Sequence, residues 1–218
     1  MKCDLHLHSY ASYDSISSPK DIIKEAARKG IDCIAITDHG EVKAFDELKK
    51  HAESKGILVI KGIEIKTKKG DIIGLNIKEK IPEGLSVQET IKRIKSQNGF
   101  VVIPHPFYIY YPFKGDLNNF LEDIDAIEIL NSAISKSANK KASDFIKKNN
   151  FPFTAGSDAH SSCFVGSTYL EIPGDNLSIE EILIAIKNKT GKVGGKEINL
   201  LKKIKDLVMR SFSKIFMS

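Results

Sequence analysis

Short apolar runs alternate with amphipathic helical stretches along this chain, and most of the runs stop at a histidine or a carboxylate. The runs lie at residues 2–9, 31–37, 57–65, 72–77, 99–104, 126–130 and 153–156. The segment 31–37 is nearly continuous, as a strand buried on both faces tends to be. Between the first two runs, Ser17 or Ser18 can cap a helix with Pro19 and Asp21 in its first turn. Its apolar stripe is Ile22, Ile23, Ala26 and Ala27, and Gly30 ends it. Further helices are predicted over 42–54, 86–97, 117–121 and 136–149. Such alternation predicts a parallel sheet with right-handed crossovers. No Gly-x-Gly-x-x-Gly and no Gly-x-x-x-x-Gly-Lys-Ser/Thr marks an open nucleotide-binding sheet. Polar groups gathered at strand ends instead suit a closed barrel, whose chemistry sits at the C-terminal rim. About seven strand units predict an α/β fold, a distorted (β/α)7 barrel with a C-terminal helical extension.

The 218 residues suffice for one domain with a substantial core. No apolar run approaches the roughly 20 residues of a bilayer-spanning helix, and the polar-faced first strand does not read as a signal peptide. Cys3, Cys33 and Cys163 are odd in number and lack CxxC spacing, so buried thiols are expected rather than disulfides or a thiolate zinc knot. A soluble, cytoplasmic protein is the expectation. The formal charge of +5 and pI near 8.9 favour phosphorylated partners, although the lysines are scattered.

The first strand, Lys2-Cys3-Asp4-Leu5-His6-Leu7-His8-Ser9, alternates with period two. That places Asp4, His6 and His8 on one face, and two neighbouring imidazoles make half of a metal site. Five of the six histidines (His6, His8, His39, His105 and His160) fall at strand ends, in company with Asp14, Glu64 and Asp158. His51 is expected on a solvated helix surface. Imidazoles mixed with carboxylates and no thiolate suit Zn, Mn or Fe. So many donors exceed the needs of one ion and imply two or three. A bridging carboxylate such as Glu64 would hold two ions about 3.5–4 Å apart. Asp4 could orient the His6 ring. Asp38 could be another such partner, or a general acid. Asn131 could hydrogen-bond substrate or a ligand, or begin a turn. The aromatics at 107–113 could stack on a nucleobase or pack on the rim.

Asp-Leu-His-Leu-His-Ser, Thr-Asp-His-Gly, Gly-Ile-Glu, His-Pro-Phe and Gly-Ser-Asp-Ala-His, in this order, resemble the motifs of the PHP (polymerase and histidinol phosphatase) superfamily. The resemblance covers residues 1 to about 195. It implies a distorted (β/α)7 barrel with a trinuclear metal site that hydrolyses phosphoesters. It further implies that His6, His8, Glu64 and Asp158 hold one ion, Glu64 and His105 a second, and Asp14, His39 and His160 a third. The chain departs from the pattern where many members have a histidine shortly after the bridging glutamate. Asp71 stands there, either as a harder ligand favouring Mn or Fe over Zn, or as a turn residue beside Lys68-Lys69-Gly70.

Residues 1–195 are thus expected to form the barrel and 196–218 a basic amphipathic helix. Its stripe is Leu200, Leu201, Ile204, Leu207, Val208, Phe212 and Ile215. Such a helix can pack on its own domain or on a second subunit, forming a homo-oligomer, or lie on a membrane or nucleic acid. The expected activity is hydrolysis of a phosphomonoester or phosphodiester by a metal-bridged hydroxide. The expected substrate is a phosphorylated small molecule, a nucleotide or a nucleic-acid end. The other reading is a metal-binding regulatory or structural module without turnover.

Overall fold

The computed structural model describes residues 1–217, and for residues 200, 205, 209 and 212–217 it describes the backbone alone. Seven strands make the barrel: β1 (Lys2–Leu7), β2 (Cys33–Ile36), β3 (Leu58–Thr67), β4 (Gly70–Leu75), β5 (Phe100–Ile103), β6 (Ala126–Asn131) and β7 (Phe153–Gly156). Helices α1 (Pro19–Arg28), α2 (Phe45–Glu53), α3 (Val87–Lys95) and α4 (Lys136–Asn149) fill the connections. Ser18 caps α1 by accepting from the Asp21 N–H, and Pro19 occupies the first turn, where its missing N–H costs nothing. The segment expected as a helix over 117–121 is a single 3-10 turn, Leu117–Phe120.

Strands β1, β2 and β3 are parallel, as are β5, β6 and β7. The expectation of an all-parallel barrel fails at β4, which runs antiparallel to both neighbours. The reason is covalent. Only Lys68 and Lys69 separate β3 from β4, whose flanking Thr67 and Gly70 pair, and a parallel return needs a crossover of a dozen residues or so. The ring closes where β7 runs into the loop at residues 157–160. There the Asp158 N–H donates to the His6 carbonyl at 2.7 Å, and the His8 N–H to the Ala159 carbonyl at 3.0 Å. Gly156 makes that approach possible, since a Cβ at 156 would lie 2.3 Å from the His6 Cβ.

Two strands and a helix lie beyond those the periodicity predicts. After the barrel, β8 (Thr168–Glu171) and β9 (Lys192–Gly195) extend the sheet antiparallel from β1, with α5 (Ile179–Lys187) between them. All seven barrel strands contribute to one apolar cluster, including Leu5, Ala35, Ile60, Ile73, Val102, Ala126 and Ala155, which fills the barrel. Ile182 and Ile186 of α5 join that cluster beside Cys3, Cys33 and Phe100 at the strand starts. One barrel end is therefore plugged with hydrocarbon, and only the other can be polar. Burying an isoleucine of this kind contributes about 1.5–3 kcal/mol.

The expected tail helix is present as α6 (Leu200–Met217). It packs back on its own barrel. Arg210 Nη1 donates to the Asp14 carbonyl at 2.7 Å and Lys203 Nζ to the Ile134 carbonyl at 2.7 Å. Leu201, Ile204, Leu207 and Val208 of the expected stripe are exposed, while Leu200, Phe212 and Ile215 lie outside the described side chains.

Candidate metal centre at the barrel mouth

The open end gathers side chains from five strands. His6 and His8 come from the end of β1, His39 follows β2, Glu64 lies within β3, His105 follows β5, and Asp158 and His160 follow β7. Two of these residues, His105 and Asp158, hold positive φ angles of 29° and 53°. A non-glycine residue accepts that conformation only where its surroundings over-determine it. For Asp158 the cause is visible in the bond from its N–H to the His6 carbonyl.

Four donor atoms define a small polyhedron. His6 Nε2 and His8 Nε2 are 3.2 Å apart. Glu64 Oε2 lies 3.4 Å from the first and 3.3 Å from the second, and Asp158 Oδ1 lies 3.6 and 3.4 Å from them. Donors sharing an ion at bond lengths near 2.1 Å stand about 3.0–3.4 Å apart, so this spacing fits a cation at the centre. The tautomers agree. His6 Nδ1 faces Glu128 Oε1 at 3.1 Å, an acceptor only, and must carry the proton. His8 Nδ1 faces Ser12 Oγ at 3.0 Å, and that hydroxyl spends its own proton on Asp38 Oδ1 at 2.9 Å, so it accepts from His8. Both rings therefore present Nε2 lone pairs to each other. Such an arrangement is repulsive without a cation, either a proton or a metal, between them.

The remaining donors extend the cluster on both sides. Glu64 Oε1 meets His105 Nε2 at 3.1 Å, while its Oε2 also meets His39 Nδ1 at 3.3 Å. Asp14 Oδ2 lies 3.0 Å from His160 Nε2 and 3.5 Å from His39 Nε2. Its other oxygen, Oδ1, is buried without a hydrogen-bond partner among the described residues. An orphaned buried carboxylate oxygen beside two imidazoles is a group that a bound cation would satisfy. Among the described residues, His8–His39–His160, His6–His8–Asp158 and His6–Glu64–His105 can each bring three donor atoms within 4.8 Å of one another.

Burial disfavours charge on the His8 and His105 rings. Hydrogen bonds that the charged His8 ring donates to Asp158 and Glu64, and the charged His105 ring to Glu64, nonetheless hold each pKa up at about 9. Burial would raise Glu64 and Asp158, but the His6 charge pulls both well below the usual carboxylate range. The site thus demands positive charge among its carboxylates.

One of the two readings of Asp38 is favoured here, and the expectation for Asp4 changes. Asp38 is 1% exposed and accepts from the Ser9 N–H and Oγ, each at 2.7 Å, as well as from Ser12. It orients Ser12 and, through it, His8; the geometry does not suit a general acid. Asp4 does not orient His6. The β1–β2 register shifts between Asp4 and Leu7, so the strict alternation breaks. Asp4 turns to the Ser157 N–H and Oγ and the Gly166 N–H, and burial raises its pKa to about 6. The place expected for Asp4 belongs to Glu128, which also accepts from the His105 N–H at 2.9 Å and from Asn131 Nδ2 at 3.0 Å. Glu128 alternates with apolar residues in Ala-Ile-Glu-Ile-Leu, and a carboxylate in a buried strand was the signal that could have found it. Asn131 bridges Glu128 to Asp158 Oδ2, at 3.1 Å from the latter.

Asp71 lines the same cleft, where burial and the neighbouring Glu64 charge raise its pKa to about 6. It makes no ion pair among the described residues and stands apart from the three donor groups. The aromatic loop divides: Phe107 and Phe113 pack against the core, whereas Tyr108 and Tyr111 face the cleft opposite Tyr13, whose ring stacks on His39. His51 sits on α2, 3.9 Å from Glu47. No described helix is long and apolar enough to cross a membrane.

A seven-stranded barrel carrying imidazoles and carboxylates at one mouth defines a metal-binding α/β barrel. The chain belongs to the PHP family: the PHP domain model matches residues 4–156, and the PHP-associated model residues 136–190. Two uncharacterized proteins of Methanocaldococcus jannaschii are similar to it. One is 41% identical over 142 residues, covering 61% of this chain and 82% of the relative. The other is 31% identical over 223 residues, covering 93% and 86%. A crystal structure of a two-domain Bacteroides vulgatus protein containing a predicted PHP-like metal-dependent phosphoesterase shares the fold. Its TM-score is 0.78 at 21% identity, over 96% of this chain and 69% of that one.

Proposed function

We propose that this chain is a metal-dependent phosphoesterase, a hydrolase acting on phosphoester bonds, whose machinery is the mouth of the barrel formed by residues 1–195. The observation that carries this reading is the polyhedron of His6, His8, Glu64 and Asp158 with its two Nε2 lone pairs face to face. These four residues would hold one ion, Glu64 and His105 a second, and Asp14, His39 and His160 a third, with Asp71 able to join the second. The mixed donor set suits Mn, Zn or Fe, two or three ions in all. When bound, such ions lower the pKa of a water and offset charge on phosphoryl oxygens.

The chain's own residues prepare that chemistry. Glu128 and the Asp38–Ser12 pair fix the His6 and His8 rings so that no reorientation is needed. Water attacks phosphorus and releases a proton to solvent, the bond to the leaving oxygen breaks, and that oxygen takes a proton from solvent in the cleft, because Asp38 is already engaged. The substrate class that fits best is a nucleotide or a nucleic-acid end. Tyr13, Tyr108 and Tyr111 border a cleft of about 520 Å³, room for a base and a phosphate, and Lys66 lies over the Tyr111 ring. Free Cys3, Cys33 and Cys163 suit a reducing, cytoplasmic setting, and the exposed apolar residues of α6 leave room for a homo-oligomer.

The test is hydrolysis of p-nitrophenyl phosphate, its bis ester and short oligonucleotides with manganese, zinc or EDTA. Turnover that EDTA removes, and that His8→Ala and Asp158→Ala abolish, is the expected result. A metal-loaded protein inert towards all of them would instead be a binding module without turnover.

A further inference from the structure

Helix α6 lies beyond both family matches, which end at residues 156 and 190, yet Lys203, Asp206, Leu207 and Arg210 line the mouth together with Asp158 and His160. The cleft's cations are not equivalent. Arg210 is committed: its Nε donates to Asp206 at 2.9 Å and its Nη1 to the Asp14 carbonyl, which clamps α6 to the loop carrying Asp14. Lys66 lies on the aromatic wall, 5.7 Å from the Tyr111 ring centroid. Among the described residues Lys203 gives one bond, to the Ile134 carbonyl at 2.7 Å, and an ammonium has three N–H donors. It is half-buried, and burial pushes its pKa down while the Glu197 and Asp158 charges pull it back up, so the Asp158 carboxylate is within its electrostatic reach.

We propose that Lys203 is a substrate-positioning residue: its remaining N–H donors bind an oxygen of the substrate's phosphoryl group in the cleft it lines with Asp158 and His160, and α6 is a working wall of the active site. The assignment rests on the phosphoesterase reading for its substrate class. Its physical basis is independent of turnover. A half-buried ammonium in this cleft gains little from water and much from a phosphate oxygen, because desolvated charge-assisted bonds are strong. Arg210 keeps the helix in register and does not itself touch the phosphoryl group.

The probe is inorganic phosphate, titrated calorimetrically into the manganese-loaded full chain. Lys203→Met keeps the aliphatic stem and removes the donors, and should weaken phosphate binding about tenfold at unchanged metal content. Lys202→Gln removes the same charge from an exposed neighbouring position and should leave binding within about twofold. In turnover, Lys203→Met should raise KM about tenfold with kcat changed far less, a split that a loosened helix would not produce. Should Lys203→Met fold poorly, the wild-type chain still decides the matter, since saturating phosphate must protect Lys203 from acetylation and leave Lys202 reactive. Equal phosphate affinity in Lys203→Met and wild type, or no protection, overturns the assignment. Phosphate binding through Lys203 in a chain that cleaves no ester would sink the phosphoesterase reading and leave this one standing.

Discussion

Replacing Glu128 by glutamine isolates the part of the site that lies behind the ligands. The carboxylate receives three donors: His6 Nδ1 at 3.1 Å, the His105 N–H at 2.9 Å and Asn131 Nδ2 at 3.0 Å. Glutamine keeps the volume but offers one oxygen where two are used, so its NH2 group must face a donor. If the amide nitrogen turns towards His6, Nδ1 has to become the acceptor and the proton moves to Nε2, removing one corner of the four-donor polyhedron. If it turns the other way, the His105 and Asn131 donors lose their acceptor. Either way the ring or the loop loses its orientation, and losing a partner of this kind costs 10–100-fold in metal affinity, about 1.4–2.8 kcal/mol. Competition with a coloured chelator reads this directly, and circular dichroism checks that the barrel is intact. An unchanged manganese affinity in folded Glu128→Gln would refute the claim that Glu128 fixes the His6 tautomer.

Other perturbations follow from the same geometry. Ser12→Ala removes the hydroxyl linking His8 to Asp38 and should weaken metal binding about tenfold by the same chelator competition. Gly156→Ala, with a Cβ 2.3 Å from that of His6, should destabilise by at least about 1–3 kcal/mol, read as a lower urea midpoint. Asp125 sits between Lys95 and Lys187, 3.1 Å from the latter, and accepts from the Val101 N–H. Burial raises its pKa, but Lys95 and the Val101 N–H outweigh burial and leave it lowered. Its contribution is therefore complete above the unfolded value near 3.9 and fades as pH falls through the lower folded value. Asp125→Ala should cost about 1–3 kcal/mol at neutral pH, with the deficit shrinking in acid melts.

Much of the site was legible because metal ligands are few in kind and fall at strand ends. His6, His8, His39, His105, His160, Glu64, Asp14 and Asp158 meet at one mouth, as their positions in the chain foretold. What stayed hidden depended on partners distant in sequence. The shift in register that sends Asp4 to Ser157, and lets Glu128 take its place behind His6, depends on how β1 pairs with β2. In sequence Asp38 reads equally as an orienting partner or an acid, and only the Ser9 and Ser12 donors on it separate the two. The reversal of β4 was visible in its two-residue turn, whereas β8 and β9 are four-residue strands with weak periodicity of their own. The tail helix was readable as a helix, but nothing in its pattern told which residues would reach the mouth.

Anomalous diffraction from crystals grown with manganese would decide the matter. The account predicts a peak enclosed by His6 Nε2, His8 Nε2, Glu64 Oε2 and Asp158 Oδ1, at about 2.0–2.3 Å from each. Manganese bound only elsewhere on the chain, with those four side chains still in place around no peak, would contradict it.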